Sequence, residues 1–127
     1  MNPLGRVVPF PTEYDPGILH VVEVPALGDL QVELVCDEFT SLCPITGQPD
    51  FGTVKVCYEP SFTIVETKSL KLYLGSFRNH GMFQEQIVAQ IRDDLVAKLK
   101  PKFLFVSAKF KSRGGISIEP YASYERS

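Results

Sequence analysis

The hydrophobic period of this chain changes twice, and those changes dictate the order of its elements. Leu30, Val32, Leu34 and Cys36 fall on one side of an alternating run, with Gln31 and Glu33 on the other. That is the pattern of a half-buried strand. Thr53 to Tyr58 repeats it, with Val54, Val56 and Tyr58 opposed to Lys55 and Cys57. Glu59-Pro60-Ser61 breaks the ladder, and Phe62 to Glu66 either extends the sheet or leads out of it. From Ser69 the period becomes helical: Leu70, Tyr73 and Leu74 share a face, and Phe77 continues the stripe. After Asn79-His80-Gly81 a longer helix is expected from about Met82 to Lys100. Phe83, Ile87, Ile91, Leu95 and Leu99 recur every fourth residue, with Val88 beside them, and Pro101 ends the helix. Alternation then returns. Phe103, Phe105, Ser107 and Lys109 oppose Leu104, Val106, Ala108 and Phe110. Ser112-Arg113-Gly114-Gly115 suits a tight antiparallel turn into a last strand, Ile116 to Glu119.

The order β-β-α-α-β-β implies an α+β fold, a four-stranded antiparallel sheet with two helices on one face. So small a unit leaves sheet edges open, and association through them is expected. With 127 residues, the chain is expected to form one domain over residues 1–127. Residues 1–17 carry Pro3, Pro9, Pro11, Pro16 and two glycines. They read as an extended arm whose Val7, Val8 and Phe10 suit a neighbouring subunit.

Several function classes fall away on composition. No apolar run approaches the ~18 residues that span a bilayer, and the N-terminus lacks a signal-peptide core. A cytoplasmic location, with no membrane partner, is the expectation. Cys36, Cys43 and Cys57 form no CxxC pair, and His20 and His80 are the only histidines. No metal site is expected. A net charge of −2 argues against direct nucleic-acid binding, which rests on excess Lys and Arg.

The segment Phe39-Thr40-Ser41-Leu42-Cys43-Pro44-Ile45-Thr46-Gly47-Gln48-Pro49-Asp50-Phe51-Gly52 carries the candidate chemistry. It sets a thiol and a carboxylate seven residues apart, with Pro44, Gly47 and Pro49 between them. Those three residues exclude a regular helix or central strand and indicate a constrained loop. Cys43 and Asp50 read either as a nucleophile and its proton donor or as a buried cysteine and a turn-forming aspartate. In Val65-Glu66-Thr67-Lys68-Ser69-Leu70-Lys71, the two lysines share a helix face. They suit a phosphate-bearing cofactor, or a solvated helix start. Glu85 in the first turn of the long helix is favoured by the helix dipole. It suits paired N–H donors of a purine-like ring, or simple capping. Arg113 beside two glycines suits a phosphate, or a surface hairpin.

Taken together, TSLCPITGQPDFG, ETKSLKLYL, SFRNHG and RGGISIEPY resemble the NADPH-dependent 7-cyano-7-deazaguanine reductases, the QueF family, in its short single-module type. The resemblance spans roughly residues 37–124. It implies a tunnelling fold that closes into a barrel by oligomerisation. It also implies active sites between subunits and a homodecamer of two stacked pentamers. The implied substrate is the nitrile preQ0 and the implied product the primary amine preQ1, a queuosine precursor, with two NADPH consumed. Cys43 matches the nucleophile that forms a covalent thioimide, and Asp50 matches the proton donor. Val65, Glu66, Thr67, Gln84 and Glu85 match substrate-recognition positions. Lys68, Lys71 and Arg113 match positions expected at the cofactor phosphates. Gln84 departs from the family's usual histidine, so proton delivery rests on Asp50, His80 or water. Two other functions compete: an amidinotransferase acting on the same nitrile in tRNA, and a non-catalytic pterin or purine binder.

Overall fold

Residues 10–127 are described by the computed structural model. Their order is a 3-10 helix Pro16–Ile18, β1 Val21–Glu23, β2 Val32–Leu42, β3 Pro49–Glu59, β4 Thr63–Val65, α1 Thr67–Gly75, α2 Gln84–Leu99, β5 Phe103–Phe110 and β6 Tyr121–Glu125. β2, β3, β5 and β6 form one antiparallel sheet in that spatial order. The expected alternation holds on its strands. Val54, Val56 and Tyr58 face inward with Leu104, Val106, Ala108 and Phe110, against Leu70, Tyr73, Leu74, Ile87, Ile91, Leu95 and Leu99 of the two helices. The α+β layering follows from these two apolar faces, because each can leave water only against the other.

Phe62 to Glu66 leaves the main sheet. β4 pairs antiparallel with β1, a short element with no expectation from the sequence. Tyr58 fixes the departure: its hydroxyl accepts the Val65 N–H at 3.0 Å.

The last strand differs from the expectation. It is Tyr121–Glu125, not Ile116–Glu119. The glycine turn does form: Arg113 and Ile116 exchange backbone hydrogen bonds of 2.9 and 3.0 Å. Gly114 and Gly115 sit at φ of 58° and 80°, the mirror-image backbone of a two-residue hairpin turn. Beyond it the chain runs beside β5, with Phe110 and Ala108 donating to Ile118 and Pro120 carbonyls. Pro120 has no N–H to return, so the regular ladder starts only at Tyr121.

The arm also differs. Residues 1–9, with Val7 and Val8, lie outside the described residues. From Phe10 on, however, the segment packs on its own chain: the Phe10 ring lies where a Cβ on Gly75 would stand, and Leu19 is buried. Tyr14 and Tyr73 both donate their hydroxyls to Asp94 Oδ2 at 2.5 Å, and Gln90 Nε2 donates to Oδ1 at 2.9 Å. Burial, then the adjoining carboxylate, raises both phenols above the ordinary tyrosine range. The Tyr14 ring stacks on His80 at 5.0 Å and tilts against Phe77 at 4.9 Å. His80 is thereby held by its ring between aromatic neighbours.

α1 is capped by the Glu66 carboxylate, which accepts the Ser69 N–H at 2.7 Å and the Lys68 N–H at 2.9 Å. α2 begins at Gln84, two residues later than expected. Met82 is drawn into a bridge beside β2: Leu42 N–H donates to His80 O, and Met82 N–H donates to Leu42 O, both at 3.2 Å. Gln86 accepts the Phe83 N–H at 3.2 Å and closes the helix start. Among the described residues, no helix is long and apolar enough to cross a membrane.

Candidate active site

The constrained segment folds as a hairpin rather than a long loop. β2 ends at Leu42, and Cys43 extends its ladder by donating N–H to the Gln48 carbonyl at 2.8 Å. Gly47 N–H returns to the Cys43 carbonyl at 2.8 Å. Gly47 sits at φ 72°, where a side chain would strain the turn. Pro49 opens β3, a place where the missing N–H is tolerated. Asp50 therefore lies inside a strand, directly opposite Ser41.

The hairpin builds a thiolate site. Thr46 Oγ accepts the Gln48 N–H at 3.2 Å, which leaves its own proton for the Cys43 sulfur. That hydroxyl is the largest influence lowering the Cys43 pKa to about 6. The Thr46 N–H, the Arg113 guanidinium and the Ile45 N–H follow, and burial opposes them weakly. The sulfur is covered by its own loop at the sheet's end, with 8% of the residue exposed. At neutral pH it is mostly the nucleophilic thiolate. Cys36 and Cys57 go the other way, both raised chiefly by burial.

Arg113 joins the thiol to the acid. Its guanidinium hydrogen-bonds Cys43, and Nε lies 3.4 Å from Asp50 Oδ1. Asp50 is 3% exposed, so this cation offsets a buried negative charge. The residue expected at cofactor phosphates is thus placed on the nucleophile. The hairpin turn at Gly114-Gly115 aims it there. We expect alkylation of Cys43 by iodoacetamide, followed by peptide mapping, to rise with pH through a midpoint near 6. In Arg113→Ala the midpoint should move upward. An unchanged midpoint would remove Arg113 from the thiolate site.

The other expected residues divide into two groups. Gln84 is buried and Glu85 exposed at the start of α2, the end tied to Leu42 through Met82. They share Cys43's end of the sheet. Val65, Glu66, Thr67 and Lys68 do not, and Lys71 lies between, bordering both the cavity beside Leu34 and one that reaches Phe39 and Thr40. Thr67 and Lys71 border a cavity of about 300 Å³ with Leu34 and Val35. Leu34 precedes Cys43 by nine residues of strand, roughly 30 Å. Within one chain the two halves of the expected site stand at opposite ends of β2. A further cavity, of about 500 Å³, opens at the β2 bulge between Asp37, Glu38, Phe51 and Lys111. It holds no nucleophile.

Two contributors escaped the sequence reading. Thr46 gave no signal, since a hydroxyl in a turn is ordinary. Ser41 had one: it precedes Cys43 by two residues and so shares its face.

Comparison with known proteins decides the family. A family model described as QueF-like protein matches residues 49–127. The chain belongs to this family. A QueF-family relative from Bacteroides thetaiotaomicron, named NADPH-dependent 7-cyano-7-deazaguanine reductase, is 49% identical over 124 residues. The match covers 97% of this chain and 82% of the relative. A protein of the same name from Neisseria meningitidis is 52% identical over 116 residues, covering 91% of this chain and 74% of the relative. Among solved structures, the apo archaeosine synthase QueF-Like matches with a TM-score of 0.69 at 24% identity. The match covers 73% of this chain and 91% of that one, and supports the tunnelling fold.

Proposed function

We propose that this QueF-family chain is an NADPH-dependent 7-cyano-7-deazaguanine reductase, converting the nitrile preQ0 to the amine preQ1 in queuosine biosynthesis. The observation that carries the reading is a thiolate with a pKa of about 6, sharing Arg113 with a buried carboxylate. A nitrile carbon is the electrophile such a pair suits. The thiolate adds to carbon while a neighbouring acid protonates nitrogen.

Cys43 attacks the nitrile carbon and holds it as a thioimide, one C–N π bond opening as the S–C bond forms. Asp50 gives the nitrogen its proton. Arg113 steadies the thiolate beforehand and again when Cys43 leaves from the once-reduced carbon, an imine then remaining. Gln84 cannot titrate, and the His80 ring stacks on Tyr14 and meets Phe77 edge-on. Proton supply to both reductions is therefore assigned to Asp50, recharged from solvent. Glu85, exposed at the α2 start, accepts the N–H donors of the aminopyrimidine edge, with Gln84 beside it.

The α1–β2 groove suits one part of a dinucleotide. Lys71 and Arg78 border a cavity of about 320 Å³ whose walls include Phe39 and Leu74, cations for phosphates over apolar floor for a ring. Each NADPH held there would supply one hydride, so two are consumed in turn. Lys71 and Arg78 would hold each, with Lys68 at the α1 N-terminus.

Val65, Glu66 and Thr67 lie toward the end of β2 away from their own Cys43, with Thr67 beside Leu34, Val35 and Cys36. We assign them to the active site of a neighbouring subunit in a decamer of two pentamers. A cytoplasmic location and the absence of a direct nucleic-acid partner belong to the same reading.

The test is NADPH oxidation with preQ0 and purified protein. Two NADPH consumed per preQ1 formed is the expected result. No oxidation, with ammonia-dependent product on preQ0-modified tRNA, would transfer the chain to the amidinotransferases.

A further inference from the structure

Two polar atoms of the site have no hydrogen-bond partner. Ser41 Oγ is buried with no partner among the described residues, and Asp50 Oδ1, also without a hydrogen bond, has the 3.4 Å ion pair to Arg113 Nε. Ser41 has no exposed surface and Asp50 has 3%. The two residues are direct cross-strand partners in β2 and β3, so their side chains stand on one face with Cβ atoms roughly 5 Å apart. By alternation that face is also Cys43's. The hydroxyl and carboxylate are neighbours, yet they do not bond to each other. A buried hydroxyl left unpaired is costly, and such groups persist where a ligand satisfies them.

We infer that Ser41 Oγ and Asp50 Oδ1 form a socket for the substrate nitrogen, and that Ser41 is a further substrate-binding residue. This inference rests on the reductase reading. One side of the socket offers a donor and the other an acceptor. Thioimide nitrogen has the matching pair, one lone pair and one N–H. Asp50 takes up a proton from solvent as the substrate binds, and passes it to nitrogen as the Cys43–carbon bond forms. The resulting carboxylate then accepts the new N–H, while the Ser41 O–H donates to the lone pair. The step is neither an oxidation nor a reduction, and its one proton travels from solvent through Asp50 to nitrogen. The socket also explains how a site with Gln84 in place of a histidine holds its nitrogen.

Ser41→Ala removes one oxygen from a packed position. If the hydroxyl waits for substrate, its loss relieves an unpaired buried group. Tm of the free protein should then hold or rise by about 2–4 °C. Alkylation of Cys43 by iodoacetamide, which has no nitrogen to seat in the socket, should stay within about 2-fold of wild type. Formation of the preQ0 adduct, followed by intact mass without NADPH, should slow on the order of 10–100-fold. A Tm lowered by several degrees would show that the hydroxyl serves the fold and would overturn the inference. So would an adduct rate equal to wild type. Wild-type protein that binds preQ0 but forms no adduct would remove the reductase reading itself, and the socket with it.

Discussion

Replacing Cys43 by alanine abolishes both the preQ0 adduct and NADPH oxidation, while the protein stays folded and still binds preQ0. The loss should reach the limit of detection, because no other group takes over the thiol's work. Cys36 and Cys57 are held as thiols by burial. Cys57 donates to Glu33 at 3.4 Å, a cross-strand contact seven pairs along β2 from the Leu42–Pro49 pair that closes the hairpin. Without a sulfur, hydride would have to reach a neutral nitrile directly, with no thioimide to accept it. Stability should change little, since Cys43 packs against its own loop and is absent from the core cluster. Intact mass, a dye-free spectrophotometric assay at 340 nm and thermal melting check the three parts. Retained adduct in the variant would place the nucleophile elsewhere.

Phe77→Ala should cost about 3–5 kcal/mol of stability and lower Tm by more than about 10 °C. Phe77 has no exposed surface. Its ring touches Phe39 of β2 at 5.6 Å, Tyr73 of α1 at 5.4 Å, Tyr14 of the N-terminal segment at 4.9 Å and His80 at 6.0 Å. Four rings from three elements cannot all close over the space it leaves. The damage should extend to the chemistry. His80 O and Met82 N–H bracket Leu42, the residue before the nucleophile, so a loosened Phe77 loosens the support of the hairpin. We expect iodoacetamide reactivity of Cys43 to lose its low midpoint in this variant before global unfolding. A Tm within about 3 °C of wild type would mean that neighbouring rings repack, contrary to the expectation for a close-packed core.

The helices and main strands were legible because each carries a period long enough to be unambiguous. Phe103 to Phe110 alternates through eight residues, and α2 repeats its stripe through Leu99 and stops at a proline. Cys43 and Asp50 were legible through their company: prolines and a glycine demand a constrained turn, and flanking segments match the family. The short elements were not legible. β1 and β4 have three residues each, too few to show a period, and exist because Val21 and Val65 meet only in the folded chain. The terminal strand was misplaced because Ile116 to Glu119 alternates like a strand, whereas the ladder depends on Pro120, which cannot return a hydrogen bond.

Local sequence determined the layers of this protein, its turn residues and the loop that presents Cys43, the proposed nucleophile, since hydrophobic period and backbone restriction act over a few neighbouring residues. Only the tertiary structure decided what surrounds that nucleophile. Arg113 lies 70 residues beyond Cys43 and reaches it because β3 lies between β2 and β5 and a glycine turn folds back over Asp50. Ser41 meets Asp50 through strand register, which no single segment contains. The separation of Glu66 from Cys43 along β2 is likewise a matter of topology. Charge, register and burial act across the chain in space, and the reactivity of Cys43 follows from them.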